Sequence, residues 1–376
     1  MSTSHSSLLD RLNTAAQERT RLGLCRATRV PQTQLRLDLA GNDYLGLLDH
    51  PQVVEQAVAA AQSYGGGAGA SRVVTGTCPL HQQLEDELAV LTGAPSALVF
   101  STGYHANLAA VTALADRETL IVSDAHVHAS LVDGCRLSRG QVVISRHNDP
   151  GHVRELLAER VLPHALVVVE SVYSVYGDAA PLAELVEITA EHGAALLVDE
   201  AHGLGVVGEH GEGALAAAGL AGHDHVVLSG TLSKSLAAQG GLVAGHTAVR
   251  EHLVNTARPF IYDTGLAPAA AGAALGALQV LREEPGLPGR CRGNAAVVAE
   301  ALGVPAPAGG VLSSPMPGPQ EAVEAVERAA RRGLRIGCFR PPSTPDGGSW
   351  LRLTAHASHS VEEMEWAVQV LQEIRG

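Results

Sequence analysis

Short apolar runs alternate with longer amphipathic ones along most of this chain. Residues 97–100, 120–122, 142–144, 165–169, 195–198 and 226–228 are apolar throughout. A run without polar alternation is buried on both faces, as parallel strands between helices are. The stretches between them carry helical spacing, clearest over 80–91, where Leu80, Leu84, Leu88 and Leu91 share one face. Helices are also predicted over 103–115 and 181–192. This alternation predicts an α/β fold with a mostly parallel central sheet and helices on both faces. Ahead of it, 1–30 reads as an Arg-rich amphipathic helix ending near Val30-Pro31, and 36–41 as a short strand. Residues 283–288, rich in Pro, Gly and acid, look like a boundary. Beyond them come a helix, a Pro/Gly-rich loop around a short strand (303–319), helix 320–333, strands near 335–339 and 351–353, and helix 361–374. That second pattern predicts a smaller α+β domain. The expected divisions are 1–43, 44–284 and 285–376.

Composition narrows the functions. A chain of 376 residues, 46% hydrophobic, can bury one large core and a smaller one. A net charge of −13 argues against nucleic-acid binding, which needs basic surface. The five Cys lack C-x-x-C spacing, as suits a reducing compartment. No apolar run approaches the ~20 residues of a membrane span, and residues 1–15 carry no secretory apolar core. A soluble, cytoplasmic protein is expected.

Of the 26 Lys and Arg residues, one is lysine: Lys234. It follows an apolar run and the turn Ser229-Gly230-Thr231-Leu232-Ser233. Surface cation work here falls to arginine, whereas a neutral amine can attack a carbonyl. Asp199 closes another apolar run, at a strand end where α/β proteins bind ligands. Asp199-Glu200-Ala201-His202 also spells a helicase box, but that needs G-x-x-x-x-G-K-[ST], and Ser233 precedes the lysine. Gly203 to Gly208 matches G-x-G-x-x-G without the tight strand–turn–helix or the later acidic strand end of a dinucleotide site. Gly65 to Ala70 is flexible backbone suited to close approach by a ligand or neighbouring chain. Ser101 to His105 joins a strand to a helix, giving either an ordinary turn or a phosphate site at a helix N-terminus. His126 and His128 follow a strand end, where an imidazole could stack on a ring. No H-E-x-x-H or Cys/His quartet appears, so no metal is expected. A lysine, a strand-end Asp and a helix-terminus phosphate site are together the fixtures of a pyridoxal phosphate site. The Asp would keep the pyridine nitrogen protonated, because a nearby anion favours the cation.

At this point Asn42-Asp43-Tyr44-Leu45-Gly46-Leu47, Gly69 to Arg72, Asp124 to Ser130, Asp199 to Gly203, Thr231 to Lys234 and Arg258 to Pro268 resemble the α-oxoamine synthases. The motifs run in order from about residue 20 to 370. The resemblance implies the fold-type-I pyridoxal phosphate transferase fold, with 44–284 as the cofactor domain. Thr231-Leu232-Ser233-Lys234-Ser235, Arg258 to Pro268, Arg340 to Pro345 and Leu351 to Thr354 look most like the branch that condenses L-alanine with a pimeloyl thioester in biotin biosynthesis. Another member using glycine or serine, and a non-catalytic subunit, are the alternatives, though Lys234 sets the chain apart from subunits that lack the lysine. The resemblance implies that Lys234 binds the cofactor aldehyde and moves the α-proton, Asp199 pairs with the ring nitrogen, and His128 stacks on the ring. It places Ser174 and His202 on the phenolic oxygen, and Gly103, Tyr104 and Thr231 on the phosphate. Thr264 would reach the partner subunit's phosphate across a homodimer interface. Asn42 and Arg352 would bind the amino-acid carboxylate, and Arg26 and Arg340 the far carboxylate of the acyl chain. Coenzyme A or an acyl carrier protein would present that chain. Ser174-Val175-Tyr176-Gly177-Asp178 departs from the S-M-D-G-D of many relatives, with Tyr176 replacing an acid.

Overall fold

A computed structural model describes residues 7–26, 28, 35–341, 343–344 and 346–375. Its strands are β1 (Leu37–Leu39), β2 (Ser96–Phe100), β3 (Thr119–Asp124), β4 (Gln141–Ser145), β5 (His164–Glu170), β6 (Ala195–Asp199), β7 (Val226–Thr231), β8 (Gly241–Gly245), β9 (Val311–Met316), β10 (Leu334–Phe339) and β11 (Ser349–Thr354). Seven of them form the central sheet in the order β2-β8-β7-β6-β5-β3-β4. Only β8 runs against its neighbours; the pairs among β7, β6, β5, β3 and β4 are parallel. The inner strands are apolar on both faces because helices cover both, whereas the apolar run 142–144, expected to be buried, lies in the edge strand β4 with Val142 and Ile144 exposed. Val167 and Val169 of β5 belong to the core cluster on one side, and Leu166 and Val168 to the cluster on the other. Each such side chain, fully buried, contributes roughly 1.5–3 kcal/mol.

The second sheet has the order β1-β10-β11-β9. Leu37 and Leu39, from near the N-terminus, pair in parallel with Leu334 and Ile336 and share the small core with Val370 and Leu371. Three residues, 284–286, separate helix Pro268–Glu283 from helix Leu287–Leu302. The latter spans both cores: Leu287 and Cys291 pack in the large one, Ala295, Val298 and Leu302 in the small one.

Two further sequence expectations change. The helix expected over 1–30 runs only from Leu8 to Arg21, with no buried residue. Ser7 and Asp10 cap its start, and Gly23 turns the chain at φ 67°. Its expected end, Val30-Pro31, lies outside the described residues. β8 was not expected. Its Gly-Leu-Val-Ala-Gly sequence carries little strand propensity, yet all five residues are buried between β2 and β7.

Candidate active site

The parallel strands end along one edge of the sheet, and the chemistry-bearing residues gather there. Glu170 ends β5, Asp199 ends β6 and Thr231 ends β7. Glu170 and Asp199 are register partners in the parallel pair β5–β6. These residues line a cavity of about 230 Å³ with Gly103, Tyr104, His128, Ser174, His202 and Lys234.

Lys234 stands in the turn after β7. Its Nζ is 2.8 Å from His202 Nε2. Burial, opposed by the charge of Asp199 and reinforced by that of Arg352, brings the ammonium down to about 8. The imidazole of His202 is buried and held well below the usual histidine range, first by burial and then by the charges of Lys234 and Arg352.

The carboxylate of Asp199 accepts from Asn107 Nδ2 at 2.7 Å and from the backbone N–H of Ala201 at 2.9 Å. Asn107 Nδ2 also donates to Ser130 Oγ, and Ser130 Oγ lies 2.8 Å from His128 Nδ1. The backbone N–H of Ser130 donates to the same Nδ1, so that nitrogen is unprotonated. Burial lowers the pKa of His128, partly offset by Asp199. Its ring, at the start of helix Ala129–Ser138, is thus a neutral, oriented plate on the cavity wall.

Helix Gly103–Leu114 begins at the opposite corner. Thr102 caps it by accepting from the N–H of His105, while the N–H groups of Gly103 and Tyr104 have no helical carbonyl behind them. A Cβ at position 103 would lie 2.9 Å from that of Thr231, so only glycine lets this turn meet the end of β7. Free N–H groups, the helix dipole and the Thr231 and Ser233 hydroxyls make an anion corner.

Asn42 and Arg352 meet behind His202. Both terminal nitrogens of Arg352 donate to Asn42 Oδ1 at 3.3 Å, and its Nε donates to the carbonyl of Ser174 at 2.8 Å. A second cavity, about 730 Å³, opens beyond His128 and Ser174, which line both. Arg26 and Arg340 line it with Arg136, Val132, Val175 and Phe339. Arg26 donates to Ser343 Oγ at 2.8 Å, and Arg340 to the carbonyl of Gly23, so the N-terminal segment is tied across this mouth.

Thr264 is not in this group. It is exposed, next to Asp263, which bonds Ser101 and His105. Tyr176 lines neither cavity; its ring packs against Trp350 and His126. The turn from Glu200 to Gly211 contains no helix, so the glycines 203–208 form no strand–turn–helix. Among the described residues, no cluster of His, Cys, Asp or Glu could hold a metal ion, and no helix is long and apolar enough to cross a membrane.

The sequence reading missed Asn107, Glu170 and Arg136. Asn107 is the one polar residue among the buried positions of its helix, and Glu170 ends an apolar strand as Asp199 does. Both signals were present. Glu170 Oε2 accepts from the N–H of Ser174, while Oε1 is buried with no hydrogen-bond partner. Burial, then the nearby charge of Asp199, pushes its pKa upward.

The arrangement offers a perturbed amine, a carboxylate fixed by an amide, a flat imidazole wall and an anion corner around one small cavity. The aminotransferase class I and II family model matches residues 36–371. The 8-amino-7-oxononanoate synthase of Mycolicibacterium gilvum is 52% identical over 365 residues, covering 96% of each chain. That of Mycolicibacterium smegmatis is 53% identical, covering 95% of this chain and 94% of its own. Among solved structures, Sphingomonas wittichii serine palmitoyltransferase superposes with a TM-score of 0.90 at 30% identity, covering 98% of both chains. The 8-amino-7-oxononanoate synthase of Francisella tularensis superposes with a TM-score of 0.77 at 25% identity, covering 90% of this chain and 97% of its own. The chain belongs to the aminotransferase class I and II family, and within it to the α-oxoamine synthases of fold type I.

Proposed function

We propose that this chain is an 8-amino-7-oxononanoate synthase. It joins L-alanine to a pimeloyl thioester, releasing carbon dioxide and the thiol. The observation that carries the reading is the sole lysine, its amine brought down to about 8, facing a cavity that also holds Asp199 and a helix N-terminus. The high identity to synthases of that name, against 30% to a serine palmitoyltransferase, favours alanine over serine.

The residues fit pyridoxal phosphate at each corner. The Asp199 carboxylate, fixed by Asn107 and the Ala201 N–H, opens on the cavity and suits a protonated ring nitrogen. Gly103, Tyr104 and Thr231 would hold the phosphate and His128 would cover the ring. Ser174 and His202 would reach the phenolic oxygen, and Lys234 the aldehyde. Bound there, the cofactor supplies an electron sink for the amino-acid α-carbon. Lys234 takes and returns the α-proton, which a group titrating near the working pH does well. Arg352, aimed by Asn42 and the Ser174 carbonyl, binds the alanine carboxylate. The second cavity takes the acyl chain, with Arg26 and Arg340 for its distal carboxylate. Thr264, exposed on its turn, would serve the partner's phosphate in a homodimer. Coenzyme A or a carrier protein would deliver the thioester, in the cytoplasm.

Two measurements test this. Borohydride reduction with pyridoxal phosphate should fix one cofactor on Lys234, and Lys234→Ala should abolish it. Alanine with pimeloyl thioester should turn over faster than glycine with acetyl thioester or serine with palmitoyl thioester. An adduct that persists in Lys234→Ala, or a preference for another pair, overturns the reading.

A further inference from the structure

Tyr44 belongs to the Asn42–Leu47 motif, but none of the roles above uses it. Its ring is fully buried and stands edge-on to His202, with centroids 5.9 Å apart. Its hydroxyl lies 2.6 Å from His202 Nδ1 and 3.3 Å from Asn42 Oδ1. On the far side of the imidazole, Nε2 is 2.8 Å from Lys234 Nζ. Asn42 Oδ1 in turn accepts from Arg352. A continuous line of hydrogen bonds therefore joins Lys234 to Arg352.

Counting protons gives this line a direction. An ammonium only donates, so while Lys234 is charged His202 Nε2 must present its lone pair. His202 is neutral, so its one proton is on Nδ1 and goes to the Tyr44 oxygen. The Tyr44 proton then has one acceptor left, Asn42 Oδ1, which cannot donate. Every donor in the line is matched in this arrangement.

We infer that Tyr44 is a positioning residue that holds His202 in the Nδ1–H tautomer, keeping Nε2 as the hydrogen-bond acceptor for Lys234. The functional meaning rests on Lys234 being the reactive amine; the tautomer does not. Replacing Tyr44 by Phe keeps the ring but leaves the Nδ1–H facing an apolar edge. The imidazole relieves this by carrying its proton on Nε2, which then points an N–H at the lysine. The ammonium loses its acceptor and the neutral amine gains. Asp199 on β6, Glu170 on β5 and Arg352 on β11 also face Lys234, and Tyr44→Phe leaves their charges in place.

Because Lys234 is the only lysine, isotope-labelled lysine gives one side-chain resonance in the cofactor-free protein. That resonance should titrate near 8 in the parent chain. In Tyr44→Phe, the amine-to-ammonium ratio at equal pH should rise about tenfold. Identical titration in the two proteins overturns the inference. A second measurement needs no folded Tyr44 variant. The ring nitrogens of His202, recognised as the signals lost in His202→Asn, should show a protonated Nδ1 and a bare Nε2 from about pH 6 to about pH 8. A protonated Nε2 in the parent chain overturns the inference. Neither measurement involves the cofactor. Failure of borohydride labelling at Lys234 would count against the proposed function, and these resonances against the role of Tyr44.

Discussion

His147 should make the stability of this protein depend on pH in a way one substitution removes. It lies in the turn after β4, with Nδ1 2.8 Å from Asp124 and Nε2 2.8 Å from Asp178. His126 stacks on it at 3.7 Å and Tyr173 meets its edge at 4.4 Å. Burial alone would lower its pKa, but the bonds to Asp124 and Asp178 lift it from 6.5 to about 9. A rise of that size corresponds to at most about 3 kcal/mol of folding free energy. Because the folded value is the higher one, this stabilisation is complete below the unfolded value of 6.5 and fades as pH rises through about 9. Above that, the ring has one N–H for two carboxylates. His147→Gln keeps a polar side chain without the charge. Urea unfolding of both proteins should give a gap that narrows by about 3 kcal/mol between pH 6 and pH 10, leaving at most ~1 kcal/mol at the upper end. Groups that titrate alike in both proteins cancel in that difference. A gap of the same size at both pH values would refute the reasoning. The function has a stake here, because Asp178 ends the turn that carries Ser174, and His147 ties that turn to β3.

Three further substitutions probe other parts of the structure. Asn107→Leu strips Asp199 of its amide donor; losing a hydrogen bond to a buried charge costs ~1.5–3 kcal/mol, so cofactor affinity read by absorbance titration should fall at least tenfold. Gly103→Ala pushes a methyl to 2.9 Å from Thr231 Cβ; the crowding should cost ~1–3 kcal/mol in urea unfolding, and cofactor affinity should fall as the turn shifts away from β7. Glu85→Ala leaves the buried Arg72 guanidinium, 2.9 Å from Glu85, without its counter-ion, and should cost about 3–5 kcal/mol in urea unfolding.

The strand ends were legible because one local signal marks them: an apolar run stops at a polar residue. That signal marks Asp199, whereas Thr231 falls inside the expected turn and entered only through the family resemblance, and Lys234 stands out as the sole lysine. The strand-end signal applied equally to Glu170, but a lone glutamate there has no meaning until β5 is known to lie beside β6. Asn107 is the same case seen from a helix, since its partner is 92 positions away in sequence. β8 was hidden because burial, not propensity, makes it a strand. The first helix is shorter than its amphipathic spacing suggests because that spacing carries no stop signal, whereas Gly23, in the left-handed region, turns the chain just after Arg21. The meeting of Asn42 with Arg352 was expected only through family resemblance; 310 residues separate them, and the pairing of β1 with β10 helps bring their segments together.

The reversed direction of β8 has a mechanical consequence. A parallel neighbour would have needed a crossover helix after Lys234. Instead residues 232–240 close a hairpin, fastened by Leu232 N–H to the Gly240 carbonyl and Ala238 N–H to the Leu232 carbonyl, both at 3.0 Å. The segment bearing the amine is therefore anchored at both ends in the middle of the sheet. Local opening that frees surface helices leaves it seated, and the amides of Leu232 and Leu242 should exchange with solvent deuterium only when the whole sheet opens.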